Sequence, residues 1–262
     1  MADWQSTINL LLRIGESASL LLLGVIWGRK TNLGSAFRPL LGYLASDALI
    51  YVIDFFGRKI LHNNIFIFQL STFCDVTWLT LIFINLASNK TNKWLITGWL
   101  IFFFSTVVSI VWVDGITTNM NTLSRAVGNT FLVFMAFRQL SQMIRHEYLF
   151  PPFKSPPFVF CTIVAIYYSS SLPIFLGQDL PRYGWLISSD IVLNTKYFIR
   201  TISWFYPFLR AIQFGLLLHL ITLFPMGVTP RHALPRWLRF RLGWRPPTKN
   251  WRYRVLPPHL VG

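Results

Sequence analysis

Acidic residues are scarce in this chain: nine Asp and Glu stand against 24 Lys and Arg in 262 residues. Charged residues of either sign make up only 13% of it, too few to clothe a soluble domain of this size. The two cysteines, Cys74 and Cys161, sit in separate apolar stretches with no CxxC spacing, so they imply neither a disulfide framework nor a thiolate zinc site. The five histidines (His62, His146, His219, His232 and His259) are scattered, and no HExxH pair is present to hold a metal. A GxSxG nucleophile elbow and a Gly-rich phosphate loop are also missing, and the serines of "YYSSSLP" have no evident base. No cofactor and no soluble catalytic domain are expected. An intramembrane hydrolase would need Ser, His and carboxylates converging from separate helices, and no spacing favours it.

What fills the chain instead is apolar: 53% hydrophobic residues, 17% aromatic, and a mean hydropathy of +0.49. The apolar residues come in runs of about 20, the length that carries a helix across about 30 Å of hydrocarbon. The expected fold is an all-α, polytopic membrane bundle. Seven spans can be marked, near Ile8–Gly28, Phe37–Gly57, Ile65–Ala87, Trp94–Val113, Asn121–Met143, Phe158–Gly177 and Ser203–Phe224. The start of the chain has no basic n-region, and the first span keeps Arg13 and Glu16, so a retained helix is expected rather than a cleaved signal peptide. The segment "GWLISSDIVLNTKYFIR" (184–200) carries Asp190, Lys196 and Arg200 and reads as an interfacial helix or structured loop. If it crossed as an eighth span, the basic tail would change sides.

Lys and Arg set the expected orientation. With the N-terminus outside, sixteen fall on the cytoplasmic side and five outside, while Arg13, Arg125 and Arg210 lie within spans. That asymmetry follows the positive-inside rule, with N-out and C-in. Residues 1–225 form the transmembrane domain on this reading, and residues 226–262 a basic cytoplasmic tail with eight Lys and Arg and no acid. In the tail Trp237, Trp244 and Trp251 recur every seven residues among Arg236, Arg239, Arg241, Arg245 and Arg252. Cations interleaved with Trp next to a last span fit the lipid bilayer surface, specifically anionic inner-leaflet lipids. A protein partner docking on the loops or tail ranks second, and nucleic acid is disfavoured.

The informative residues are the ionisable groups inside the spans: Glu16, Asp47, Asp54 and Asp75, with Arg13, Arg125, Arg210 and His219. Such groups are rare at membrane depth and face a bundle interior or a wet cavity. Helical spacing sorts them. Tyr43, Asp47, Tyr51 and Asp54 fall on one face of the second span, Gln69, Thr72 and Asp75 follow a stripe on the third, and Asn121, Arg125 and Asn129 are four apart on the fifth. Arg13 and Glu16 can pair on the first. In the N-out orientation Arg13, Glu16, Asp54, Gln69, Arg125 and Arg210 lie in the outer half, and Asp47 and Asp75 near the midplane. Two readings compete: interhelical ion pairs that fix packing, or a polar cavity open to the outer face with Asp47 and Asp75 at its floor. His219, nine residues after Arg210, is expected to be a packed, hydrogen-bonded histidine rather than a proton relay.

Other seven-helix chemistry fits poorly. A retinal Schiff base needs a Lys within the last span, and Lys196 precedes it. A secondary transporter would show inverted repeats or matched broken helices, and no internal symmetry is visible. The segment "HNNIFIFQLSTFCDVTW" resembles one found in a group of uncharacterised bacterial seven-transmembrane-helix proteins, reading Asn-Asn-Leu-Trp-x-Tyr-His-x-Tyr-x-Pro-x-Glu. Asn63 and Asn64 match its Asn pair and Asp75 stands at its Glu. Glu16, Asp47 and Arg125 also fall where such proteins carry acidic or Arg residues. Gln69 stands in place of its His, Phe73 of its Pro, and Gly128 of an acid three residues after the Arg. The resemblance implies a seven-span topology, a bacterial cytoplasmic membrane and a role for Asp75, without naming a substrate. The expected function is a sensor- or receptor-like bundle with an outward-facing polar pocket. The alternatives are a structural or accessory subunit of a membrane complex, and a proton or ion pathway through Asp47 and Asp75.

Overall fold

The computed structural model describes residues 2–60, 65–87, 92–113, 115, 122–145, 152–179 and 205–226. The side chains of residues 2–14, 16, 58–60, 92, 152 and 177–179 fall outside that description, as do segment 184–200 and the basic tail. Seven α-helices account for nearly all of it: α1 (Ala2–Arg29), α2 (Pro39–Ile60), α3 (Ile65–Leu86), α4 (Asn92–Val108), α5 (Thr122–Arg145), α6 (Pro156–Asp179) and α7 (Tyr206–Leu223). A π-helical turn over Ser109–Val113 prolongs α4, and short 3-10 turns cover Ser35–Phe37 and Pro152–Lys154.

Proline opens three of these helices. Pro39 and Pro156 begin α2 and α6, and Pro207 stands in the first turn of α7. Its fixed φ suits the first turn, and its missing N–H would have had no helical partner there. The end of α1 is fixed by hydrogen bonds instead. Thr31 N–H donates to the Ile26 carbonyl and Lys30 N–H to that of Trp27, both at 3.0 Å, with Lys30 in the left-handed region at φ 47°. This is the Schellman pattern, which satisfies carbonyls that a helix end leaves open. From there the chain pairs with the exit of α7: Thr31 bridges Met226, and Asn32 N–H donates to the Pro225 carbonyl at 3.0 Å. The strap binds the ends of α1 and α7 together.

Six helices close a ring in the order α1, α2, α3, α5, α6, α7, with α7 returning to α1; α4 packs outside it, against α3 and α5. Five segments are long and apolar enough to cross a membrane: Ser35–Gly57, Ile65–Leu86, Lys93–Val113, Pro156–Leu176 and Tyr206–Leu223. Two of the seven expected spans do not meet that measure. In α1 the described apolar part is only Ser17–Arg29. Helix α5 carries Arg125, Asn129, Arg138, Gln139, Gln142 and Arg145, and it is wedged among α3, α4 and α6. Protein contacts can take up its polar groups there, so strong hydropathy is not required of it. The peripheral helix is apolar almost all round: Leu100, Ile101, Phe104 and Val111 project outward between exposed Trp94 (68%) and Trp112 (76%). Those two Trp are 18 residues apart in sequence, about 27 Å along a helix, which matches two aromatic belts on either side of a hydrocarbon core.

In lipid, helices associate by close packing rather than by a hydrophobic drive, and small residues admit the neighbour. Gly98 of α4 lies under the Phe131 ring of α5, Gly42 of α2 under Trp78 of α3, and Gly128 of α5 against Val76 of α3 and Phe102 of α4. The end of the bundle where α1, α3, α5 and α7 finish is apolar and aromatic. Phe37 meets Phe160 at 5.8 Å and Phe224 at 5.1 Å between ring centroids, and Phe83 meets Phe160 at 5.2 Å. All four rings are buried, and Leu40, Ile82 and Leu220 beside them are fully so.

Candidate functional site

Above that plug the interior of the ring turns polar. Two clusters meet at Arg210, in the first half of α7. The first joins α2 to α7. Arg210 Nη1 donates to Gln213 Oε1 at 3.1 Å, and Gln213 Nε2 donates to the Tyr43 hydroxyl at 3.0 Å. Arg210 Nη2 stands 3.9 Å from Asp47 Oδ1, an ion pair whose side chains are 16% and 15% exposed. The spacing of Tyr43 and Asp47 by four residues, and of Arg210 and Gln213 by three, puts each pair on one helix face, so the faces meet as a set. A cavity of about 20 Å³, room for a water-sized group, adjoins them beside Gly15 and Ser19 of α1.

The second cluster draws on α3, α5, α6 and α7 and lines a partly open cavity of about 40 Å³. Asp75 and Thr72 of α3, Arg125 and Asn129 of α5, Tyr167, Tyr168 and Ser171 of α6, and Tyr206 and Arg210 of α7 line it. Arg125 Nε donates to the Thr72 hydroxyl at 3.0 Å, and that hydroxyl donates to the Phe68 carbonyl at 3.0 Å. The Arg125 guanidinium rests 4.2 Å from the centroid of the Phe175 ring and 5.4 Å from that of Phe68. Arg210 likewise lies over Tyr167 at 5.3 Å and Tyr206 at 6.0 Å, and those two hydroxyls are 3.4 Å apart. Asn129 Nδ2 donates to Ser171 Oγ at 3.3 Å, and Ser171 Oγ donates to the Tyr168 carbonyl, which fastens α5 to α6.

Asp75 stands apart in this network, together with Tyr168, whose buried hydroxyl also has no hydrogen-bond partner among the described residues. Asp75 lines the larger cavity, and its buried Oδ1 has no hydrogen-bond partner among the described residues. Arg210 leans on Asp47 and Arg125 on Thr72, so neither guanidinium neutralises Asp75 by direct contact. Arg210 Nε is also buried without a hydrogen bond. A polar molecule in a cavity beside these unsatisfied groups could supply the hydrogen bonds they lack.

Of the residues singled out from the sequence, Asp75, Arg125 and Arg210 share the larger cavity, and Asp47 sits across Arg210 in the smaller one. Asp54 lines neither cavity. Gln69 donates to the Gly115 carbonyl at 2.5 Å and so ties the start of α3 to the turn after α4; it also lines neither. The Glu16 side chain, and the tail residues Arg236, Trp237, Arg239, Arg241, Trp244, Arg245, Trp251 and Arg252, lie outside the described residues. His219 is exposed, with Nε2 3.3 Å from the Phe153 carbonyl. Sequence reasoning missed the contribution of α6 altogether, along with Tyr206 and Gln213. Two signals were present: Tyr168, Ser171 and Phe175 at spacings of three and four in an otherwise apolar helix, and Gln213 one turn after Arg210. Among the described residues no group of three or more His, Cys, Asp or Glu could hold a metal ion. No family model, curated protein or solved structure matches the chain.

Proposed function

We propose that the protein is a sensor- or receptor-like seven-helix membrane bundle whose cavity at Asp75 receives a small polar ligand. The observation that carries this reading is Asp75, which lines a cavity while its carboxylate has neither a hydrogen-bond donor nor an ion-pair partner among the described residues. If the charges served packing alone, Asp75 would be expected to touch Arg125 or Arg210. In a low-dielectric interior an uncompensated carboxylate is costly, and such groups are kept where they act on something.

The topology belongs to the same proposal: seven spans, N-terminus outside and C-terminus inside, in a bacterial cytoplasmic membrane. The excess of Lys and Arg on the inner side supports it, as does the 18-residue separation of Trp94 and Trp112. In this orientation the ends where α3, α5 and α7 begin are outside. The cavity then lies in the outer half, with Arg125 one turn into α5 and Tyr206 at the start of α7. The buried Phe37, Phe83, Phe160 and Phe224 cluster lies toward the inner side. That arrangement favours a blind pocket over a proton or ion pathway, which would have to cross the aromatic plug. A ligand that draws α7 toward α3 and α5 would move the strap between Thr31 and Met226, after which the chain continues into the basic tail. Tail contact with anionic lipids or with a partner protein is the output this reading implies.

A thermal-shift screen of purified protein against a panel of small polar metabolites tests the reading. At least one compound should raise the melting temperature of the wild type and fail to raise that of Asp75→Asn. If no compound in a broad panel stabilises the wild type, the pocket reading is wrong.

A further inference from the structure

The unmatched charges of the larger cavity specify what it would hold. Arg210 is committed, one terminal nitrogen bonding Gln213 and the other facing Asp47. Arg125 is not. Its Nε is taken by the Thr72 hydroxyl, and Phe175 and Phe68 brace the guanidinium, but no carboxylate among the described residues pairs with it. A guanidinium anchored through Nε and braced by rings offers its outer edge, two parallel N–H donors, to a planar anion such as a carboxylate. On the same cavity wall system Asp75 presents a buried Oδ1 with nothing to accept from. One cation and one anion thus face a shared space without touching each other.

Resting on the pocket reading above, we infer that the ligand is a compact zwitterion, its carboxylate held by Arg125 and its ammonium by Asp75. A simple anion would satisfy Arg125 and leave the Asp75 carboxylate unmatched; a simple cation would do the reverse. Only a molecule carrying both charges matches both. Size narrows the class. A cavity of about 40 Å³ admits roughly three water-sized groups at about 10–15 Å³ each. So small a space restricts the ligand to the smallest zwitterions, of which glycine, with five heavy atoms, is the smallest α-amino acid. Thr72 is a positioning residue here: it sets the Arg125 plane and meets no ligand charge itself.

Calorimetric titration of the full chain in lipid nanodiscs with glycine, acetate and methylamine tests the inference. Glycine should bind at least about tenfold more tightly than either single-charge probe. Asp75→Asn should bring glycine down to the acetate level, while acetate, relieved of a neighbouring carboxylate, should bind no more weakly than to the wild type. Thr72→Val should weaken glycine and acetate together, with Thr72→Ser restoring both. If acetate binds as tightly as glycine and Asp75→Asn changes neither, the site is an anion pocket: the zwitterion inference falls while the pocket reading stands. If methylamine alone binds and Thr72→Val has no effect, the inference falls in the same way. If none of the three probes binds, it also falls, and the wider metabolite screen decides the pocket reading separately.

Discussion

Replacing Arg210 with Met should destabilise the bundle by about 3–5 kcal/mol, the range seen when one partner of a buried ion pair is removed. The substitution leaves Asp47 without its cation in a site where both side chains are nearly buried. It also removes the donor to Gln213, and so loosens the link from α7 through Gln213 to Tyr43 on α2. Asp75→Asn should behave oppositely and stay within about 1 kcal/mol of wild type, because it breaks no hydrogen bond or ion pair among the described residues. The amide keeps the shape of the side chain and no longer places an uncompensated charge in the cavity. Reversible unfolding in mixed micelles measures both. The contrast is diagnostic: an Asp75→Asn loss as large as that of Arg210→Met would make Asp75 a packing partner.

The second large effect belongs to Gly128. A Cβ there would meet Val76 Cγ2 at 2.8 Å and Phe102 Cε2 at 2.9 Å, and both of those side chains are fully buried. Neither can swing aside into open space, so the helices themselves must separate. Gly128→Ala should cost about 1–3 kcal/mol as overpacking, and Gly128→Leu should reach or pass the top of that range. The helix that gives way is α4, which is held only on one side, and the Trp99 Nε1 bond to Thr77 Oγ1 (3.1 Å) should go with it. The same micelle unfolding, followed through Trp fluorescence, reads both changes. Wild-type stability in Gly128→Leu would contradict this account of the α3–α4–α5 junction.

The helices themselves were legible in the sequence, because a run of apolar residues about 20 long and a proline at its start are local signals. The expected third span, Ile65–Ala87, and the helix Ile65–Leu86 agree to a residue, and the others to within a few, apart from the start of α1. Asp75, Arg125 and Arg210 were legible as interior residues, since charge in such a run has few other places to go. Which charges meet was not. Asp47 faces Arg210 because α7 closes the ring against α1 and α6, and no spacing within one helix encodes that closure. The tyrosines of α6 carry little sequence signal for a related reason: a hydroxyl on a large apolar ring barely alters hydropathy, yet Tyr167 and Tyr168 line the cavity wall. Gln69 shares the stripe of Thr72 and Asp75, and at the start of α3 it is close enough to the turn at Gly115 to bond the carbonyl there.

The most direct test of the pocket is an experimental density map of the protein in lipid, at a resolution that shows ordered small molecules. The account predicts non-lipid density within hydrogen-bond distance of Asp75 Oδ1 that also reaches the outer edge of Arg125. A guanidinium of Arg125 or Arg210 bonded directly to Asp75, with its side chain filling the cavity, would contradict it.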